Sequence, residues 1–255
     1  MSKSSYYLVI TGDDSSAIRN VEERFKAHLN GRELVTIKPG KVKSLLKSYR
    51  DIVKDTKDPD SIFMFCHQDA YPAFLPDASN DFDVNTLQTE HKYLEAAITD
   101  PAHWLNVSEV LLSNENTGFL GVAGALGINP GSAWWNYPEI SGAVLHNSEA
   151  KGLLLNVYGI FGQVLVLDGL FLMCKAETIL EMGDFNIDED RFHFYDMELC
   201  LRAHGMGKKN YTIPLMMAHG SSGATINNEK WQQDMDHFSE NIQYYLKSGK
   251  TQEDS

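Results

Sequence analysis

The run Ser61-Ile62-Phe63-Met64-Phe65-Cys66 contains no charged side chain and stops abruptly at His67-Gln68-Asp69. An uninterrupted apolar run of this length reads as a strand covered on both faces, as in the middle of a parallel sheet. The flanking sequence agrees. Tyr6–Thr11 is a short β-rich run closed by Gly12-Asp13-Asp14-Ser15-Ser16, after which Ile18, Val21, Phe25 and Leu29 recur at helical spacing. Residues 33–37 form a second strand pattern broken by Pro39-Gly40, and Val42, Leu45, Leu46, Tyr49, Ile52 and Val53 mark one face of a second helix. Strands alternating with helices of this length predict parallel pairing through right-handed crossovers, the nucleotide-binding half of a doubly wound sheet. In such sheets ligands gather beyond the carboxyl ends of the strands, so Asp69 is a candidate holder of a divalent cation; a turn former or helix cap is the competing role.

Further along, residues 71–85, with two prolines, read as a loop and 84–98 as a helix. Residues 119–124 are strand-like. Residues 127–150, rich in Gly, Asn, Ser and Trp, read as an irregular excursion, a candidate acceptor-side wall. Residues 164–174 then predict one strand, 176–182 a short helix, 184–190 an acidic loop and 195–204 a packed helix closed by Gly205. Residues 211–217 predict an edge strand because of Pro214, His219 to Gly223 a flexible loop, 228–246 a terminal helix, and 247–255 a disordered tail. The organisation expected is one domain over 1–247, with a nucleotide-binding half to about 125 and an acceptor half beyond it.

Charge narrows the partners. The 255 residues carry 35 acidic against 22 basic side chains, a net charge of −13, and no Lys/Arg block able to follow a phosphate backbone. Nucleic acid is not the expected partner. The chain starts without an apolar leader and contains no stretch of about 18 apolar residues, so no transmembrane segment is expected. Cys66, Cys174 and Cys200 form no CxxC pair, which predicts a reducing, cytoplasmic setting. Neither GxGxxG nor GxxxxGK[ST] occurs, so dinucleotide binding and P-loop hydrolysis lack their fingerprints. A nucleotidyltransferase would need a Gly-rich loop with a basic residue after the first strand, which residues 12–19 do not supply.

Several other residues are candidates from their surroundings. Asp168-Gly169 lies within an apolar run, where a carboxylate must either face a polar site or find a partner in a bulge. Trp134 and Trp135 either stack on a sugar ring or close a hydrophobic lid. His193 lines the same crevice or packs among Phe192, Phe194 and Tyr195. Arg202 reaches a phosphate or pairs with Glu198 one helical turn earlier. Asp196, opening the 195–204 helix, reads locally as a first-turn acid favoured by the macrodipole.

Four segments in order resemble a known pattern. Ile62 to Asp69 looks like the "hydrophobic strand then HQD" signature of a glycosyltransferase-like family of the GT-A, family 2-type superfamily, related to proteins of bacterial surface-sugar and aminoglycoside pathways. Phe119-Leu120-Gly121-Val122-Ala123-Gly124-Ala125 is similar to its next strand, and Val166-Leu167-Asp168-Gly169-Leu170-Phe171-Leu172 to its Val-Asp-Gly-aromatic strand. Tyr195-Asp196-Met197-Glu198-Leu199-Cys200-Leu201-Arg202 resembles its Asp-x-Asp/Glu-Leu-x-x-Arg helix, followed by an analogue of its His-x-Ser-x-Gly loop at His219. The resemblance implies a GT-A α/β fold, with a mostly parallel nucleotide-binding sheet, helices on both faces and a fused acceptor-binding half. It implies transfer from a nucleoside-diphosphate sugar to a glycan or other hydroxyl acceptor, with Mn²⁺ or Mg²⁺ as cofactor. Asp69 then matches the metal-binding Asp, with His219 completing the sphere. Asp196 matches the general base of inverting relatives. His67, Gln68, Asp69, Asp168, Gly169 and Arg202 fall on the donor side, and Trp134, Trp135 and His193 on the acceptor side. His67 stands where many relatives carry the first Asp of DxD, and Arg50 where they carry Asn. These departures leave a catalytically silent sugar-nucleotide or glycan-binding module as the alternative.

Overall fold

The strand and helix alternation at the start of the chain becomes successive βα units in the computed structural model, which describes residues 5–56, 58–73, 102–148, 152–159, 161–183, 190–220 and 228–247. Strand β1 (Tyr6–Thr11) leads to helix α1 (Ser15–His28), β2 (Leu34–Gly40), α2 (Leu45–Thr56) and β3 (Ile62–His67). Helix α1 begins where extended Asp14 accepts hydrogen bonds from the N–H groups of Ser16 and Ala17, a cap that contributes about 1 kcal/mol. Its Ile18, Val21 and Phe25 are buried against the sheet. Strand β1 pairs in parallel with both β2 and β3, and Ile62 to Cys66 are buried throughout, which explains the uninterrupted apolar run.

The remaining described elements are β4 (Ala70–Pro72), α3 (His103–Leu112), β5 (Thr117–Gly121), β6 (Ala123–Ala125), a 3-10 turn (Trp134–Asn136), β7 (Ile140–Ser148), β8 (Gly152–Gly159), β9 (Gln163–Val164), β10 (Val166–Leu167), β11 (Phe171–Lys175), α4 (Ala176–Glu181), α5 (Tyr195–Gly205), β12 (Lys209–Thr212), β13 (Met217–His219) and α6 (Glu229–Lys247). They form two sheets. The larger has the order β2-β1-β3-β11-β5-β12-β9, in which β11 and β9 run against the other five strands. Its strands come from both sides of residue 125. The smaller sheet has the order β10-β6-β7-β13-β4, with β8 on β7. One hydrophobic cluster runs from Tyr6 to Tyr245 and binds both sheets to α1, α2, α5 and α6.

The structure corrects several sequence expectations. The excursion at 127–150 contains strand β7, and β8 was not anticipated at all; the pair forms the hairpin of the smaller sheet. The expected single strand at 164–174 is three, because the chain changes sheets twice: β9 lies in the larger sheet, β10 in the smaller and β11 in the larger again. Asp168 makes the second change, its Oδ1 accepting from Leu170 N at 3.0 Å in a side-chain turn. The edge strand expected at 211–217 is also divided. Strand β12 lies between β5 and β9, and Pro214 sits in the link that carries the chain across to β13. Tyr71 and Pro72, read as loop, belong to β4. The helix expected at 84–98, most of the loop at 71–85, residues 184–189 of the acidic loop and the tail at 248–255 lie outside the described residues.

Beneath α5 the interior holds three charges. Glu198, fully buried, accepts from Arg202 Nη2 at 2.7 Å and pairs with Arg191 on its other side; Arg191 donates to Tyr245 Oη at 2.9 Å. The Arg202 guanidinium lies 4.9 Å from the Tyr245 ring centre. Removing the shared carboxylate strands two buried cations, and breaking one such pair typically costs about 3–5 kcal/mol. Glu198→Ala is therefore expected to lower unfolding free energy by at least that amount in urea titration. A loss under 1 kcal/mol would show that the network contributes little.

Candidate active site

Register levels the carboxyl ends of the first three parallel strands, since Thr11 pairs with both Gly40 and His67. These ends open into a cleft of about 900 Å³. The loop after β2, the turns at 67–69 and 168–169, the segments 133–135 and 190–197, His219 and Trp231 line it. Of the residues expected to carry function, His67, Gln68, Asp69, Trp134, Trp135, Asp168, Gly169, His193, Asp196 and His219 all line this one cavity. Arg202 does not.

Two short strands bring the first cluster together. Strand β13 runs antiparallel to β4 with His219 opposite Ala70, so Asp69 arrives beside His219, and Gly220 N donates to Asp69 O at 2.7 Å. His219 Nε2 is 3.8 Å from Asp69 Oδ2, and ligand atoms of His67, Asp69 and His219 all lie within 4.8 Å of one another. Ligands about 2.1 Å from a shared cation sit no more than about 4.2 Å apart, so modest tightening would close the site. The two imidazoles and one carboxylate are a mixed nitrogen and oxygen donor set that can hold a divalent cation. Burial is the main cause depressing the pKa of His67, which favours the neutral imidazole that ligation needs. Its tautomer follows from hydrogen bonding. Tyr195 Oη donates to Gly169 O at 2.9 Å, so it accepts from His67 Nε2 at 2.9 Å, leaving Nδ1 with the lone pair.

The carboxylate of Asp196 is held from two sides. Gly169 N donates to Oδ2 at 2.7 Å and Met197 N to Oδ1 at 2.8 Å. Burial first, and then the neighbouring charge of Asp168, push its pKa up to about 7 despite those hydrogen bonds. Asp168 also acts electrostatically on His67, His146, Tyr158 and Tyr195, so its charge is felt by both His67 and Asp196. A Cβ on Gly169 would meet Tyr195 Oη at 2.3 Å and Asp196 Oδ2 at 3.0 Å, so only glycine permits this approach.

Gln68 is a strut within the same wall. Its Oε1 accepts from Asp14 N at 2.8 Å and lies over Gly12, whose φ is +148°. A Cβ at position 12 would fall 2.0 Å from that oxygen. Gly12→Ala is thus expected to expel the Gln68 side chain and strain the backbone, at about 1–3 kcal/mol. In a Gln68→Ala background the same change should cost measurably less. Strict additivity in a double-mutant denaturation cycle would exclude the strut.

Four residues were not anticipated, two lining the cleft and two behind its wall. His146 lies beside His219 across the parallel β7–β13 pairing, ring centres 5.7 Å apart, with Nε2 2.9 Å from Tyr158 Oη. Asp234, buried on α6, accepts from Phe192 N at 3.3 Å and His193 N at 3.1 Å. That anchors the turn in which Phe194 takes a left-handed φ of 62° to start α5, a conformation costing a bulky residue about 1–2 kcal/mol. Trp231 and Phe192 complete an aromatic wall. None of these has a local sequence signal, because each depends on pairing between distant segments.

A family model described as "Glycosyltransferase like family" matches residues 95–244, more than half of the chain. The chain belongs to the glycosyltransferase-like family. Its mixed α/β architecture, two sheets flanked by helices, is of the GT-A type. No curated protein sequence matches it. Among solved structures, that of GalNAc-T7 with UDP, GalNAc and Mn²⁺ superposes with a TM-score of 0.46 at 9% identity, over 86% of this chain and 44% of that one. The chain thus spans less than half of that protein's length. A197 from STIV gives a TM-score of 0.39 at 10% identity over 86% of each chain.

Within this family member, Arg202 requires correction. It was expected on the donor side, yet it is buried under α5 and bound to Glu198, away from the cleft. Helical spacing of four residues brings these two side chains together, and the interior holds them there. Asp196, read locally as a first-turn acid, does lie in the first turn of α5, whose cap residue is Phe194. Among the described residues, no helix is long and apolar enough to cross a membrane.

Proposed function

We propose that the protein transfers a sugar from a nucleoside-diphosphate sugar to a hydroxyl acceptor with inversion, Asp196 acting as base and Asp69, His219 and His67 holding a divalent cation. The observation that carries this reading is the shared cleft: a carboxylate with a pKa near 7 and a His/Asp/His cluster line one cavity, which Asp168 also lines. A base poised near neutrality is ionised often enough to accept a proton and basic enough to draw it from a hydroxyl. Asp196 would take the acceptor proton as the hydroxyl oxygen bonds to the anomeric carbon. The bond from that carbon to the diphosphate oxygen breaks, with the electron pair leaving on the nucleotide. A single displacement of this kind inverts the anomeric configuration. Gly169 N and Met197 N keep the carboxylate from rotating away, while Tyr195 fixes the His67 ring. The cation, when bound, supplies charge that stabilises the departing diphosphate, and its imidazole ligands favour Mn²⁺ over Mg²⁺. Lys41 and Lys43, on the loop after β2, add positive charge to the cleft lining, Lys43 lying 3.7 Å from Asp190.

Residues 1–247 would act as one domain, a reading supported by the main hydrophobic cluster, whose members run from Tyr6 to Tyr245. The buried thiols of Cys66, Cys174 and Cys200 are free, which fits a reducing compartment such as the cytoplasm. The deciding experiment incubates the full chain with a panel of nucleoside-diphosphate sugars, with and without Mn²⁺, and follows nucleotide release. Mn²⁺-dependent release with at least one donor is expected. Calorimetric nucleotide binding without turnover across donors and acceptors would instead identify a silent binding module.

A further inference from the structure

We propose that Tyr195 is a positioning residue that couples two parts of the cleft, so that filling the His67/Asp69/His219 cluster with a divalent cation firms the hold on Asp196. The inference rests on the glycosyl-transfer reading and adds the link between its cation and its base.

Tyr195 and Asp196, consecutive in the first turn of α5, clasp a single residue between them. The Tyr195 hydroxyl donates to Gly169 O at 2.9 Å, and Gly169 N donates to Asp196 Oδ2 at 2.7 Å. The peptide that carries Gly169 O also carries Leu170 N, which donates to Asp168 Oδ1 at 3.0 Å. On its other side Tyr195 Oη meets His67 Nε2 at 2.9 Å.

A phenol has one proton and a carbonyl can only accept it, so the order of this chain is fixed: His67 donates to Tyr195, Tyr195 to Gly169, and the 169–170 peptide to Asp168. His67 Nδ1 is left for a cation. A ligated imidazole is a stronger donor through its remaining N–H, and hydrogen bonds in series strengthen one another. The effect arrives at Gly169, which holds Asp196. Packing keeps the phenol in place. Tyr195 is 5% exposed, its ring stands edge-on to Tyr49 with centres 5.6 Å apart, and Tyr49 stacks at 4.1 Å on Phe65, two residues before His67 on the same face of β3. The strand that carries the ligand therefore also sets its distance from the tyrosine.

The test compares the full chain with Tyr195→Phe, which keeps the ring and loses the hydroxyl. Without metal, long-range ¹H–¹⁵N NMR should find the His67 proton on Nε2 in the parent and shared between the two nitrogens in the variant. Mn²⁺ binding, followed by electron paramagnetic resonance, should weaken about tenfold in the variant. With both proteins saturated by Mn²⁺, hydrogen exchange at residues 168–170 and 195–198, read by mass spectrometry, should be slowed severalfold by the metal in the parent, and the variant should lose that slowing. Transfer by the variant at saturating Mn²⁺ and donor should stay about tenfold below the parent. Equal slowing of exchange in both proteins, or in neither, overturns the coupling. So does unchanged Mn²⁺ affinity, an absence of Mn²⁺ binding in the parent, or recovery of the full transfer rate once Mn²⁺ is saturating. If circular dichroism shows that the variant does not fold, the parent decides: a His67 proton on Nδ1, or exchange that Mn²⁺ does not slow, overturns the proposal. A parent that shows the metal-dependent exchange, lost in the variant, yet transfers no sugar from any donor defeats the glycosyl-transfer reading and leaves the coupling standing.

Discussion

Asp196→Asn is expected to cut glycosyl transfer by about two to four orders of magnitude, the usual contribution of a positioned base. The amide keeps the shape of the carboxylate, so nucleotide binding should survive. In the parent protein the rate should rise with pH through an acid limb near 7, because the proton that Asp196 holds must leave before it can accept another. Asn should abolish that limb. Stability moves the opposite way. The folded pKa, about 7, lies above the ordinary value of 3.8, so the folded state binds this proton more tightly than the unfolded chain does. The resulting stabilisation is full below about pH 4 and is lost as pH rises to 7. The Asn variant escapes that pH-dependent loss, but its amide can accept from only one of the Gly169 and Met197 N–H groups, so its stability relative to the parent should rise between pH 4 and pH 8 from a lower starting point. Retention of full transfer activity by the Asn variant would remove Asp196 from the chemistry.

The second large effect concerns the cation. Asp69→Ala is expected to weaken Mn²⁺ binding at least about 100-fold, because it removes the anionic member of the donor set; His219→Ala should weaken it about 10- to 100-fold. Electron paramagnetic resonance of free Mn²⁺ gives both numbers directly. Affinity in the parent protein should fall in acid, where protons compete with the metal for its ligands. If Asp69→Ala binds Mn²⁺ as tightly as the parent, the cluster of Asp69, His67 and His219 is not the metal site.

How much of this was legible in the sequence depended on how local each cause was. Strand β3 and the position of Asp69 beyond it were readable because burial on both faces leaves an uninterrupted apolar run and an abrupt polar end. The helical spacing of Glu198 and Arg202 was equally visible, but not that Arg191 approaches from outside the helix to make the group an interior network. Strand β7 was hidden by its Ser, Gly and Asn, residues that favour loops until a partner strand supplies hydrogen bonds, whereas β8 carries a legible apolar run, Leu153-Leu154-Leu155-Asn156-Val157-Tyr158. His146 and Asp234 were invisible for a related reason. Each gains its role from a neighbour brought close by a pairing or helix packing that no local pattern encodes. The division of 164–174 into three strands escaped notice because its residues stay apolar while the chain passes between sheets, and a buried crossover looks like a buried strand.

That crossover has a mechanical consequence. The turn after β10 leaves one sheet and enters the other, and Gly169, at its apex, supplies an amide to the oxygen of Asp196. Any sliding of one layer over the other would be transmitted to the proton acceptor within a single peptide unit. Chimeras that graft the smaller layer from a relative to alter selectivity should therefore lose rate along with it, unless the seam at 168–170 and the first turn of α5 are transplanted as a single piece.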